Sequence, residues 1–280
     1  MSQRTESIKD GTTTLPDGTH LSYSVHFPLD QSTLAKLALV AHPFGRLGGS
    51  KNDHMVQSLS RMLCKEGYIV VRFDCRGAGE SEGKASWTGS TEVEDFQAVF
   101  NSILLPLLPT QSPSEPQQSV ELLLCGYSFG SLLASACPPP VSTSQYSFKT
   151  RYLLLSYPLS VTFALTFFNS SKFAKMLEDR IKENNEVCVT YGDGDQFSRV
   201  EKFRKWSEGL VKLGERPDQV RVIEVEGADH FWARRNDKME ALERIRAWSS
   251  SSSRESKRDQ VTNAPPRSAQ ATRSNLTQSP

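Results

Sequence analysis

The chain has 280 residues, 37% of them apolar and 23% charged, with a formal net charge of +1. It can therefore bury one sizeable core, and its charge balance suits neither a nucleic acid nor an anionic membrane surface. No stretch is long and apolar enough to span a bilayer. The five cysteines, Cys64, Cys75, Cys125, Cys137 and Cys188, are unclustered and lie mostly in apolar segments, which reads as reduced core thiols rather than a disulfide framework or a zinc site. With a polar N-terminus, this makes a cytoplasmic protein the expectation.

In chain order, Leu15-Pro16-Asp17-Gly18-Thr19 is a turn sequence and the alternating run Leu21 to Phe27 follows it, so residues 11 to 27 predict an antiparallel hairpin. Leu37 to Ala41 is an apolar run of the kind buried on both faces, ending in His42-Pro43-Phe44-Gly45. Met55, Leu59, Met62 and Leu63 have helical spacing, with Gly67 as the stop. A second buried strand, Tyr68 to Asp74, leads into a glycine-rich loop, and Thr91 with Glu94 predicts a capping box before a helix with Val93, Phe96 and Phe100 on one side. Prolines at 106, 109, 113 and 116 mark an extended connection.

The stretch from Val120 to Leu133 breaks an apolar run at Gly126-Tyr127-Ser128-Phe129-Gly130 and continues as a second apolar segment, which reads as strand, tight turn and helix. Such a turn forces the serine into a strained conformation that lifts its Oγ above the sheet edge, while the helix N-terminus stabilises negative charge beside it. Further strands are expected at 151 to 157, 187 to 191 and 220 to 225, with helices between and after them, one opened by a Ser198 and Glu201 capping box. Strands alternating with helices imply a mostly parallel sheet flanked by helices on both faces, so residues 1–248 form one α/β domain. From residue 249 to 280 the chain turns to serine, arginine, proline and glutamine, and that tail is expected to be disordered.

A serine hydroxyl needs a base, and a histidine held by a carboxylate is the usual one. Strand ends downstream of Ser128 deliver Asp193 and Asp195, then His230. In open α/β sheets such residues gather at the carboxyl ends of the strands. Other histidines have plainer readings: His20, His26 and His54 as solvated side chains, and His42 as a structural residue lining the rim. Asp53-His54 lacks a third metal ligand, so no metal is expected. Phe163, Phe167 and Phe168 read as core, and the glycines at 77, 79 and 83 do not have dinucleotide-binding spacing.

Gly126-Tyr127-Ser128-Phe129-Gly130, Gly192-Asp193-Gly194-Asp195 and Gly227-Ala228-Asp229-His230-Phe231, in that order at strand ends, resemble the α/β-hydrolase superfamily over roughly residues 10 to 248. His42-Pro43-Phe44-Gly45 resembles its oxyanion loop, with His-Pro where His-Gly is common. The resemblance implies Ser128 as nucleophile, His230 as base and then acid, and Asp195 as the orienting carboxylate, with Asp193 as runner-up. It also implies the backbone N–H groups of Phe129 and Phe44 as oxyanion donors, no cofactor, and a small-molecule acyl substrate. Residues 158 to 186 leave room for a small cap or none. The expected activity is carboxylic ester hydrolysis. The same three residues serve peptidases, thioesterases and acyltransferases, and a non-catalytic interaction protein is the reading from another class.

Overall fold

The computed structural model describes residues 6–29, 35–112 and 114–262. Eight strands form one sheet: β1 (Glu6–Thr14), β2 (His20–Pro28), β3 (Ala35–Ala41), β4 (Ile69–Phe73), β5 (Gln118–Tyr127), β6 (Tyr146–Leu155), β7 (Glu186–Gly192) and β8 (Val220–Val225). Their spatial order is β1-β2-β4-β3-β5-β6-β7-β8. The β1–β2 and β2–β4 pairs are antiparallel and every other pair is parallel. The helices are α1 (His54–Lys65), α2 (Ser90–Val99), α3 (Phe129–Ala136), α4 (Thr162–Leu165), α5 (Ser170–Lys182), α6 (Val200–Leu213) and α7 (Arg235–Thr262).

Strand periodicity divides the core into two layers. Leu37, Leu39, Leu122, Leu124, Tyr152 and Leu154 point to one face, where they meet α2, α3, α5 and α6 through residues such as Phe96, Leu132, Phe173 and Phe203. Ala38, Val40, Leu123, Cys125, Leu153 and Leu155 point to the other, against Met55 and Leu59 of α1 and Ile245 and Trp248 of α7. The central strands are apolar without interruption because both of their faces are covered. Register then sets Ala41 beside Gly126, Tyr127 beside Leu155 and Gly192 beside Val225, so five parallel strands end on one rim.

Several expectations need correction. Neither capping box forms: α2 starts after Gly89 and α6 after Arg199, both without a side-chain cap. Thr91 and Glu94 both lie inside α2 rather than at its cap, and Ser198 Oγ accepts from the Ser160 N–H. Instead Asp53 caps α1, accepting from the N–H groups of Met55 and Val56. His26 is buried, with Nδ1 against Glu6 and Nε2 accepting from Arg72 Nε. Helix α7 runs through residues 248 and 249, where Arg151 donates to the carbonyls of Trp248 and Ser249. Residues 263–280 of the expected tail lie outside the described residues.

Between β6 and β7 stand only α4 and α5, and α5 buries Phe173, Leu177 and Ile181 in the core. What remains above the rim is the short segment around α4, a small cap at most.

Candidate active site

Ser128 is the single residue between β5 and α3, with φ 52° and ψ −118°. A non-glycine residue there costs about 1–3 kcal/mol, so neighbouring structure must hold it. It does: the Ser128 N–H donates to Leu155 O at 2.8 Å, and the N–H and hydroxyl of Ser131 both donate to Ser128 O. A Cβ on Gly126 would overlap the Gly130 carbonyl, and one on Gly130 would overlap the carbonyls of Ala41 and His42. The turn is this tight only because both positions lack a side chain.

The rim brings three of the sequence-derived residues together. His230 Nε2 lies 2.9 Å from Ser128 Oγ, and His230 Nδ1 lies 2.6 Å from Asp195 Oδ2. The carboxylate can only accept, so Nδ1 carries the proton in the neutral ring and Nε2 is left to accept from the serine hydroxyl. Asp195 Oδ1 accepts from the N–H groups of Phe197 and Ser198, which orients the carboxylate. Asp193 is turned elsewhere and accepts from the Gly227 N–H. All three partners of the chain are buried.

Several side chains that pin His230 were not singled out from sequence. Tyr127 donates its hydroxyl to His230 O at 2.7 Å, and burial pushes that phenol well above its ordinary pKa, so it stays a donor. Gln196 Oε1 accepts from the His230 N–H, and Phe197 sets its ring edge-on to the imidazole at 4.5 Å. His54 Nε2 donates to Phe231 O at 2.9 Å. Trp232, fully buried at φ 54°, donates its indole N–H to Ser156 Oγ. No sequence signal gave any of these residues this role; three-dimensional proximity identifies it.

His42 is fully buried, and its two ring nitrogens have opposite duties. Nε2 faces the Cys75 N–H at 2.9 Å and must accept; Nδ1 faces Pro43 O at 2.5 Å and must donate. The ring is therefore neutral, and burial lowers its pKa. A trans peptide is planar with C=O and N–H opposed, so fixing the Pro43 carbonyl also fixes the direction of the Phe44 N–H. Among the described residues no acceptor takes that N–H. The Phe44 and Phe129 rings pack against each other at 5.2 Å, tilted by 60°, joining this loop to the start of α3, whose first N–H groups have no partner within the helix.

The pocket over Ser128 encloses about 130 Å³, near the size that holds a benzene-like group. Leu47, Val161, Leu165, Phe197 and Phe231 line it, and Asp53 is the one carboxylate among its lining residues. Among the described residues, no group of three or more His, Cys, Asp or Glu is placed to hold a metal ion. The cysteines are free and buried, and burial pushes the thiols of Cys64, Cys137 and Cys188 up to about 12, so they are inert at neutral pH. Phe163, Phe167 and Phe168, expected in the core, are exposed, whereas Phe173 and Leu177 of α5 are buried in it.

The profile of the X-Pro dipeptidyl-peptidase (S15) family matches residues 17–101, a region that includes the Phe44 loop but not Ser128, Asp195 or His230. An uncharacterized protein of Rickettsia prowazekii is 32% identical over 39% of this chain and 47% of its own length. The match thus spans about half of that relative. An uncharacterized protein of Schizosaccharomyces pombe is 25% identical over 80% of this chain and 90% of its own length. Among solved structures, an α/β serine hydrolase homologue from Coxiella burnetii superposes with a TM-score of 0.59 at 22% identity, covering 86% of this chain and 94% of that one. An α/β serine hydrolase without lid from Xanthomonas campestris gives 0.60 at 21%, covering 89% and 94%. The esterase domain of a Rhodothermus marinus protein gives 0.58 at 21%, covering 87% and 98%. With this strand order and these likenesses, the chain has the α/β-hydrolase fold.

Proposed function

We propose that the protein is a serine hydrolase that cleaves carboxylic esters, with Ser128 as nucleophile, His230 as base and acid, and Asp195 as the orienting carboxylate. The observation that carries this reading is the unbroken hydrogen-bonded chain from Asp195 through His230 to Ser128 at the floor of an apolar pocket. His230 Nε2 takes the hydroxyl proton as Ser128 Oγ attacks the acyl carbon, and Asp195 stabilises the imidazolium without taking its proton. The oxyanion forms against the N–H groups of Phe44 and Phe129. His230 then returns the proton to the leaving alcohol, and a water activated by the same ring releases the acid.

A second reading, a peptidase, is favoured by the family match over residues 17–101. A dipeptidyl substrate would bring a free ammonium into the pocket, where Asp53 is the available carboxylate. Its Oδ1 is already engaged by two backbone N–H groups of α1, and the remaining lining is mostly apolar, which favours the ester. A panel of p-nitrophenyl esters of increasing acyl length beside Xaa-Pro p-nitroanilides separates the two. Turnover of short esters with the anilides untouched is expected; faster cleavage of the anilides would replace the ester reading with the peptidase one.

A further inference from the structure

The segment between β6 and α5 is apolar on two sides. Val161 and Leu165, four residues apart, face the pocket. Phe163, halfway between them, and Phe167 and Phe168 just after them lie in water, 51%, 62% and 73% exposed. The rings form one patch, with centroids 6.2 Å apart for Phe163 and Phe168 and 5.5 Å for Phe167 and Phe168. Phe167 and Phe168 have φ of 43° and 69°, a region that bulky residues rarely enter. That strained backbone holds two rings outward where no core contact compensates for it, and an element apolar all round belongs in an apolar surrounding.

We propose that this outward patch docks on a lipid–water interface, bringing the pocket beneath Val161 and Leu165 to apolar ester substrates held there. Two observations select lipid over other occupants. At ~200 Å² for each phenylalanine, the exposed part of the three side chains comes to roughly 370 Å², well short of the ~800 Å² per partner of a stable protein interface. A second copy of the chain would thus be poorly held. The stretch from Tyr157 to Leu177 also contains no aspartate or glutamate, its only charges being Lys172 and Lys175, so phosphate headgroups are not repelled as the rings enter the acyl boundary. A net charge of +1 gives the whole chain little long-range attraction to lipid; the patch acts on contact. Docking itself makes no use of Ser128, whereas the identity of the substrate rests on the hydrolase reading.

The test is flotation of the full chain with vesicles of phosphatidylcholine and phosphatidylserine, beside the double variant Phe167→Asn/Phe168→Asn. Asparagine accepts left-handed backbone, so the segment keeps its shape, and an unchanged melting temperature checks the fold. The parent should float and the double variant should lose at least about tenfold in bound fraction, while Ser128→Ala floats like the parent. Failure of the parent to float, equal flotation of the double variant, or a concentration-dependent dimer that the double variant abolishes would each overturn the proposal. If flotation behaves as stated but Ser128→Ala retains ester turnover, docking stands and the hydrolase reading falls.

Discussion

Trp232 and Phe168 occupy the same left-handed backbone region, at φ 54° and 69°, on two segments that border one pocket, yet they resolve the strain in opposite ways. Trp232 is fully buried, donates to Ser156 Oγ and closes the loop that carries His230. Phe168 is 73% exposed and offers no polar group to a partner. The His230 loop is over-determined by bonds from Tyr127, Gln196 and His54, whereas the segment around α4 is held mainly by its own local bonds, such as Thr162 to Pro158 O and Thr166 to Thr162 O. Geometry that must hold a proton in place is fixed by several distant residues; the segment that meets the surroundings has few such ties, Ser160 N–H to Ser198 Oγ among them.

The fixed half breaks most severely at the chemistry. Ser128→Ala or His230→Ala is expected to lower kcat by on the order of 10⁵ or more with folding intact, measured on a short ester. Next, Asp195→Asn should cost about 10⁴-fold by leaving His230 in the wrong tautomer, while Asp193→Asn leaves kcat nearly unchanged because that side chain serves Gly227. An equal loss from both would mean that the bond to His230 does not matter.

The two left-handed residues give a direct stability contrast. Trp232→Ala should destabilise by about 3–5 kcal/mol through the cavity it leaves, and Phe168→Asn should stay within about 0.5 kcal/mol, both read by chemical denaturation. His42 tests how far pinning reaches into catalysis. Asparagine at 42 can still donate toward Pro43 O, whereas glutamine can accept from the Cys75 N–H but cannot make the first bond. Loss of the Phe44 donor in His42→Gln should lower kcat by about 10²- to 10³-fold with KM little changed, and His42→Asn should recover part of it. A loss confined to KM, or no difference between the variants, would reduce His42 to a packing role.

The smallest effect is in pH. Burial lowers the pKa of His42 and of His26, so the unfolded chain takes up those protons more readily and stability rises with pH. Their contribution is whole above the ordinary histidine value of 6.5 and is lost as pH falls from there toward the lowered folded values. The melting temperature of the parent should fall on acidification through that range, and His42→Asn should fall less steeply.

Much of this was legible in the sequence because it rests on local signals. The apolar runs of β3, β5 and β7 announce buried parallel strands, and glycines 126 and 130 announce a turn that admits no side chain. The spacing of Asp195 from Gly192 selects it over Asp193 only through a family resemblance; geometry supplies the reason, since Asp193 is taken up by Gly227. The residues that were missed act at long range. Nothing in Tyr127, Gln196 or His54 marks them as supports of His230, because their partners lie 103, 34 and 177 positions away. The first capping box failed because α2 starts at Ser90, ahead of Thr91, and the second because Ser198 found a tertiary partner; the three phenylalanines were misplaced because apolar character alone cannot say which side of a segment faces water.

The account turns on whether Ser128 is an activated nucleophile, and labelling by a fluorophosphonate probe followed by intact-mass and peptide mapping tests that most directly. One adduct on Ser128 is expected in the parent, with none in Ser128→Ala and strongly slowed labelling in His230→Ala. A well-folded parent that takes no label, or label that persists in Ser128→Ala, would contradict it.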